Sequence, residues 1–196
     1  KRKIPTLFIN SYYPQFKFPH VSMNDRMAGR KLTKHLIAMG HRRIGGIFKH
    51  DDGQGRLRYA GYLDAMMEAG LRLEDSHIVW IDTEDVKHLD RLSGKIRERF
   101  GDCTAVLCYN DEVAAGLIEV LRGGGIRVPE DVSIVGVDDS DLSVMGDVKI
   151  TSAKHPMEHL GMRAAENLLR MMKDPSFDGN YEFETEIVYR NSVHKL

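Results

Sequence analysis

Two apolar runs, each ending in polar side chains, constrain this chain more than anything else in it. Both lie within 104–139, TAVLCYNDEVAAGLIEVLRGGGIRVPEDVSIVGVDDS. The first, from Ala105, closes on Tyr109-Asn110-Asp111, and the second, Val132 to Val137, closes on Asp138-Asp139. Between them come a helix-period stretch, Glu112 to Arg122, and a Gly/Pro turn. A helix between two short apolar strands returns the chain to the same edge of a sheet, so the strands run parallel. Their carboxyl ends then share one edge, where ligands of open α/β sheets bind. Asn110 and Asp138 suit hydroxyl groups, and the stretch holds no nucleophile paired with a base. It reads as a grip on a small polar molecule.

The same alternation runs along the chain. Thr6–Asn10 reads as a strand, followed by an aromatic loop, Ser11–His20. Asp25 opens a helix to Met39, with Ala28, Leu32, Leu36 and Met39 on one face and Gly40 as its stop. Arg43–Lys49 is a strand, His50–Gly55 a polar loop and Arg56–Ala69 a helix. His77–Asp82 is a strand and Val86–Phe100 an amphipathic helix. Lys149–Ala153 is extended, Pro156 suits the first turn of a helix to Lys173, and Phe177–Tyr189 reads as one or two edge strands. The spacing predicts an α/β fold with a mainly parallel, doubly wound sheet. Met27, Met39, Met66 and Met67 read as core, and His41 as fixing a helix-to-strand turn.

Length and composition set limits. With 196 residues there is room for one large domain or two small ones. A net charge of −1 argues against this segment itself holding DNA, since phosphate binding needs a concentrated basic face. Cys103 and Cys108, the 2 cysteines, lie at or in an apolar strand and read as small core residues in a reducing compartment. No apolar run approaches the roughly 20 residues of a membrane span. Lys1-Arg2-Lys3 leads straight into Pro5 and a strand rather than a signal peptide, so a cytoplasmic location is expected. The abrupt start suggests a piece of something longer. No paired Cys/His or H-x-E-x-H-like spacing appears, so neither a metal nor a cofactor is expected.

Several motifs resemble one family. Leu36-Ile37-Ala38-Met39-Gly40-His41-Arg42-Arg43-Ile44 is similar to its "L-x-x-x-G-H-x-x-I", and Arg58-Tyr59-Ala60-Gly61-Tyr62 to its "R-x-x-G-aromatic". Tyr109-Asn110-Asp111-Glu112-Val113-Ala114 resembles "x-N-D-x-x-A"; Val128 to Asp139 (VPEDVSIVGVDD) and Arg190-Asn191-Ser192 complete the set. These resemble the effector-binding domain of the lactose-repressor/galactose-repressor (LacI/GalR) transcription regulators. Phe48–Gly55 (FKHDDGQG) and Ser152–Pro156 (SAKHP) look like the arabinose-responsive branch, whose members carry a winged-helix DNA-binding domain ahead of the effector domain. The resemblance implies a periplasmic-binding-protein-like architecture of two lobes joined by three crossovers, with sugar between them. It implies that residues 1–22 and 153–178 are the remnant of the amino-terminal lobe. Residues 23–152 and 179–196 would form the carboxyl-terminal lobe, the only complete one. Half a cleft should bind sugar poorly. Met23-Asn24-Asp25 departs from the family pattern, which often has Asp-Asn near there, and this leaves the transfer of roles to Asn24 and Asp25 open.

Ligand candidates follow from the chemistry of a ring of hydroxyls, which must be paired in fixed directions. Arg58 offers a planar fork that bridges two neighbouring hydroxyls. Asp138 is a strand-end acceptor, and Asn110 donates and accepts. Asp111 reads instead as a cap or first-turn carboxylate of the next helix. Asp139 points elsewhere by strand alternation and caps the following turn. Lys49, Asp52 and Gln54 read equally as ligands or as a solvated loop. Tyr109 either stacks on a sugar face or closes its strand, and Asn10 and His155 read equally as ligands or structural groups.

The expected function is the sugar sensor of a bacterial transcriptional repressor, responding to L-arabinose or a related pentose. Its DNA contacts would come through an amino-terminal domain outside this chain, and it would act as a homodimer without membrane contact, with Arg56–Ala69 a candidate interface. A different class fits composition too: a phosphoryl-transfer or receiver-type enzyme with Asp138 as acceptor, Asp51-Asp52 for magnesium and Lys154 in reach. A secreted sugar-binding protein of the same fold is a third reading, disfavoured by the missing signal peptide.

Overall fold

The computed structural model describes residues 4–13 and 15–196. The basic start Lys1-Arg2-Lys3 and Pro14 of the aromatic loop lie outside the described residues. In chain order the elements are β1 (Phe8–Ile9), β2 (His20–Met23), α1 (Asp25–Ala38), β3 (Ile44–Lys49), α2 (Gly53–Glu68), β4 (Ile78–Ile81) and α3 (Ser93–Phe100). There follow β5 (Ala105–Cys108), α4 (Asp111–Arg122), β6 (Ser133–Asp138), α5 (Leu142–Met145), β7 (Thr151–Lys154), α6 (Met157–Lys173), β8 (Tyr181–Phe183) and β9 (Ile187–Val188). The chain forms two compact units, one of Asp25–Lys154 with Glu186–Leu196, the other of the described residues up to Asn24 with His155–Thr185.

The larger unit is the predicted α/β sandwich. Its sheet runs β4-β3-β5-β6-β7-β9, parallel except for the antiparallel edge strand β9. All of β3 and β5 is buried, as strands covered on both faces must be. On one face Ile47, Val106 and Ile134 pack with Ile96, Phe100 and Leu117 of α3 and α4. On the other, Phe48 meets Tyr59 and Tyr62 of α2, and the Tyr62 hydroxyl donates to the Ile44 carbonyl at 2.7 Å. Each such fully buried apolar side chain contributes about 1.5–3 kcal/mol. Strand order reverses between β3 and β5, because β3 connects forward to β4 on one side and β5 lies on the other. That reversal opens a crevice at the carboxyl ends of these two strands.

Helices α1 and α2 touch backbone to backbone. A Cβ added at Gly61 would lie 1.9 Å from the Arg26 carbonyl oxygen, and one at Gly29 would lie 2.1 Å from that of Arg58. Only glycine permits this approach, and it brings the start of α1 beside Arg58. The carboxyl-terminal tail is sewn to the sheet. The Ser192 hydroxyl donates to the Ile134 carbonyl at 2.6 Å and accepts from the Thr151 amide at 2.8 Å. Buried His41 lies 2.9 Å from the Thr104 hydroxyl and 3.0 Å from the His194 carbonyl, fixing the turn after α1 as expected.

In the smaller unit β1, β2 and β8 form a parallel sheet, and Leu160 and Ala164 of α6 pack on Val21. No helix of the described residues is long and apolar enough to cross a membrane.

The structure corrects four expectations. Val86–Phe100 is not one helix but short 3-10 turns at Asp85–Lys87 and Leu89–Leu92 followed by α3. His88, at φ −129 and ψ 37, leaves the helical region and breaks it while Leu89 drops into the core. His20–Met23 is a strand, and β8 pairs with it, so residues 179–185 belong to the smaller unit rather than to the larger one. Helix α2 starts at Gly53, three residues before the expected Arg56, because Asp52 caps it. Met67 lies on the outside of α2, 58% exposed, while its neighbour Met66 is core.

Candidate functional site

Five of the sequence candidates meet at the carboxyl ends of β3, β5 and β6. Lys49 ends β3, buried, with Nζ 2.9 Å from Asp52 Oδ2 and 3.5 Å from Asp51 Oδ1. Asp52 caps α2 by accepting from the Gly55 amide at 2.7 Å. Its other oxygen accepts from the Tyr109 hydroxyl at 2.6 Å. Burial raises Tyr109 well above the usual phenol range, so that hydroxyl stays a donor. Two cations lie over the Tyr109 ring, with Lys49 Nζ 5.1 Å and Arg58 Cζ 4.8 Å from its centroid. Gln54 sits half-buried in the first turn of α2. Asp51 turns outward and accepts from the amide and hydroxyl of Thr83, which hold its carboxyl down at about 2.

Arg58 is the centre of the group. Its side chain is 3% exposed. Nε donates to Asp25 Oδ1 at 2.8 Å and Nη1 to the Tyr109 carbonyl at 2.6 Å. Nη2 lies 3.6 Å from Asp138 Oδ1, longer than a hydrogen bond. Burial opposes the charge, but Asp25 and then Asp138 outweigh it and keep the guanidinium protonated. Two edges of the fork are thus anchored in protein, and the third is directed at a carboxylate that is 35% exposed.

At the start of α4 the structure chooses the second of the two roles read for Asp111, a first-turn carboxylate. Asn110, not Asp111, is the N-cap of α4, and its Oδ1 accepts from the Val113 amide at 3.0 Å. Its extended backbone, φ −148 and ψ −176, puts it in the capping position. Asp111 is a first-turn carboxylate that faces inward, 1% exposed, and accepts from Ser140 and Ser152. Asp139 pairs with Arg190 of the tail, and the Ser143 hydroxyl approaches it only at 3.5 Å, so capping the next turn is at most a minor part of its role. In the smaller unit, Asn10 Oδ1 and His155 Nε2 lie 2.7 Å apart, so these two candidates meet each other.

One group among the described residues has metal-ligand spacing: His77, Asp102 and Cys103 offer atoms within 4.8 Å of one another. They lie just before β4 and β5, at the amino-terminal edge of the sheet, opposite Lys49 and Tyr109. Arg43 Nε donates to the Asp102 carbonyl at 2.6 Å and lies 3.8 Å from its carboxylate. Burial pushes the Cys103 thiol up to about 12. A guanidinium beside the carboxylate and a protonated thiol suit a His77–Asp102 hydrogen bond, 3.0 Å, better than a cation. A surface hollow of about 470 Å³, lined by Val86, Leu89, Arg97, Gly116 and Val120, follows α4 instead of the strand-end group.

Asp25 is the partner of Arg58 that sequence reasoning did not place in the group, since it was read as opening a helix and its family role was left open. The usable signal was indirect: glycines inside both α1 and α2 mark a close backbone approach. The Ser140 and Ser152 partners of Asp111 carry no local signal at all.

Residues 33–193 match the family model described as "Periplasmic binding protein-like domain". An arabinose metabolism transcriptional repressor of Halalkalibacterium halodurans is 39% identical across 98% of this chain and 54% of its own length. One from Geobacillus stearothermophilus is 38% identical across the same shares. A solved transcriptional regulator CelR–cellobiose complex superposes with a TM-score of 0.84 at 28% identity, over 95% of this chain and 57% of that one. The chain spans about half the length of the curated relatives it matches.

Proposed function

Since the chain belongs to the periplasmic-binding-protein-like domain family, we propose that it is the effector-binding part of a sugar-responsive LacI-family transcriptional repressor. The observation that carries this reading is Arg58: a buried guanidinium, pinned by Asp25 and the Tyr109 carbonyl at the reversal point of a parallel sheet, with Asp138 3.6 Å from its remaining nitrogen. A fixed donor fork beside an acceptor matches vicinal hydroxyls, one accepting from Nη2 and one donating to the carboxylate. Lys49 and the Tyr109 ring add a donor and an apolar face for the sugar ring. With one lone pair of Oδ1 engaged in the cap, Asn110 offers a ligand its amide nitrogen and the second lone pair of that oxygen.

L-arabinose or a related pentose is the proposed effector, on the strength of what two similar curated relatives are called. The larger unit is read as the carboxyl-terminal lobe and the smaller as part of the amino-terminal lobe of the full effector domain. DNA contact through a preceding domain, a homodimeric state and a cytoplasmic location belong to the same proposal. Ligand acts by binding one form of the protein better than another, and a near-complete switch requires about a 10⁴-fold difference in affinity. The enzyme reading loses its premise at Asp138, whose neighbour is a guanidinium rather than a magnesium-binding acidic cluster. Asp51 is engaged by Thr83, and Asp52 by Lys49 and Tyr109.

The test is calorimetry and thermal shift on the full-length protein against pentoses and hexoses. Wild type responds to L-arabinose, whereas Arg58→Ala and Asp138→Ala lose the response and still bind operator DNA. Induction that survives both changes refutes the site, and phosphorylation of Asp138 by acetyl phosphate with magnesium would restore the enzyme reading.

A further inference from the structure

Asp138 sits on backbone that L-residues rarely adopt. Its φ is 107, and that of Asp139 is 52, two consecutive non-glycine residues on the left-handed side. Such a bend persists only where its surroundings hold it. Here both amides that follow Asp138 are captured. The Asp139 amide donates to the Ser152 hydroxyl at 3.0 Å, and that hydroxyl donates to Asp111 Oδ1 at 2.6 Å. The Ser140 amide and hydroxyl donate to Asp111 Oδ2 at 2.8 and 3.1 Å. One buried carboxylate on α4 therefore ties down the end of β6, the loop after it and strand β7.

The sequence makes room for that carboxylate. A Cβ at Gly136 would fall 2.3 Å from Asp111 Oδ1, so β6 admits the side chain only because glycine stands there. Burying a charge is unfavourable, and burial pushes the Asp111 carboxyl up to about 6 despite its donors, with Asp138 adding like-charge repulsion. A carboxylate that is 1% exposed and hydrogen-bonded to Ser140 and Ser152 acts on what those donors hold.

We propose that Asp111, through Ser140 and Ser152, is the positioning residue that aims the Asp138 carboxylate beside Arg58. The inference rests on the reading of Asp138 as a hydroxyl acceptor for sugar. Asp111 touches no ligand; it sets the backbone from which Asp138 reaches one.

The experiment uses the full-length protein with L-arabinose as probe and has two arms. In calorimetry, Asp111→Asn weakens binding by roughly ten- to a hundredfold, the usual effect of displacing a binding group by a fraction of an ångström to an ångström. Introduced into an Asp138→Asn background, the same change adds less than about twofold, because its route of action is already gone. The unfolding midpoint shifts equally in both backgrounds, which separates positioning from general destabilisation. Ser152→Ala repeats the pattern if Asp111→Asn folds poorly. Equal losses of affinity in the two backgrounds, or wild-type affinity in Asp111→Asn, overturn the proposal. The second arm needs no ligand: hydrogen exchange at the Asp139 and Ser140 amides is slow in wild type and speeds up in Asp111→Asn. Unchanged exchange refutes the positioning role, whereas failure of wild type to bind the sugar refutes only the choice of effector.

Discussion

Replacing Arg58 with Met tests the buried ion pair at the centre of the site. Arg58 and Asp25 are each 3% exposed and meet at 2.8 Å. Removing the guanidinium strands a carboxylate in the interior, which costs about 3–5 kcal/mol. Asp25→Asn is milder, because Arg58 keeps the Tyr109 carbonyl at 2.6 Å and Asp138 at 3.6 Å. Losing one charge-assisted hydrogen bond of this kind costs about 1.5–3 kcal/mol. In Arg58→Met/Asp25→Asn neither charge remains and the volume is roughly kept, so the double variant loses less than the two singles together. The coupling read from the cycle is then about 1–3 kcal/mol. Urea unfolding of the four proteins measures this, with equal slopes confirming that folded and unfolded compactness are unchanged. The reasoning fails if Arg58→Met costs under about 1 kcal/mol, or if the double variant loses the sum of the singles.

Two further predictions concern its neighbours. Asp111 holds its proton up to about pH 6 when folded, against an ordinary value of 3.8. The folded state therefore binds more protons than the unfolded one between those values. Its contribution favours folding at low pH and is lost as pH rises from about 4 to 6, about 3 kcal/mol in all. Urea midpoints of wild type relative to Asp111→Asn should fall across that window and level off above it; a flat difference would contradict the burial argument. Asp51 and Asp131, lowered to about 2, act only below pH 4, and the histidines lowered by burial, His20, His35 and His41, are common to both proteins and cancel in the difference. Tyr109→Phe removes the hydroxyl that donates to Asp52 at 2.6 Å, with an expected loss of about 1.5–3 kcal/mol in the same assay, and an unchanged midpoint would show the bond to be idle.

Much of this architecture was readable because it depends on local pattern. Apolar runs ending in polar residues located the strand ends at Lys49, Tyr109 and Asp138, and the glycine and proline stops located most helices. Contacts between distant residues were not readable. Asp25 lies in another helix from Arg58, and nothing in its own neighbourhood distinguishes a carboxylate that opens a helix from one that also neutralises a buried arginine. Strand β2 was hidden for a related reason: four residues after an aromatic loop have no periodicity of their own, and β8, which pairs with them, is more than 150 residues away.

The strand ends show where pattern reasoning fails in kind. Of Asn110 and Asp111, either side chain can cap a helix, and composition does not choose. The choice is made by backbone, since the cap must be extended and its successor helical, which puts Asn110 at φ −148 and turns Asp111 into the core. Alternation along β6 likewise holds only while the strand does. It assigns Asp138 and Asp139 to opposite faces, yet the chain turns at φ 107 and 52 and leaves the pleat at these two residues. Asp139 reaches Arg190 in the tail, while Asp138 stays beside Arg58. The direction of the Asp138 carboxylate is therefore set by a bend that no residue of β6 specifies alone, and the two amides after it are held by Ser152 of β7 and Asp111 of α4.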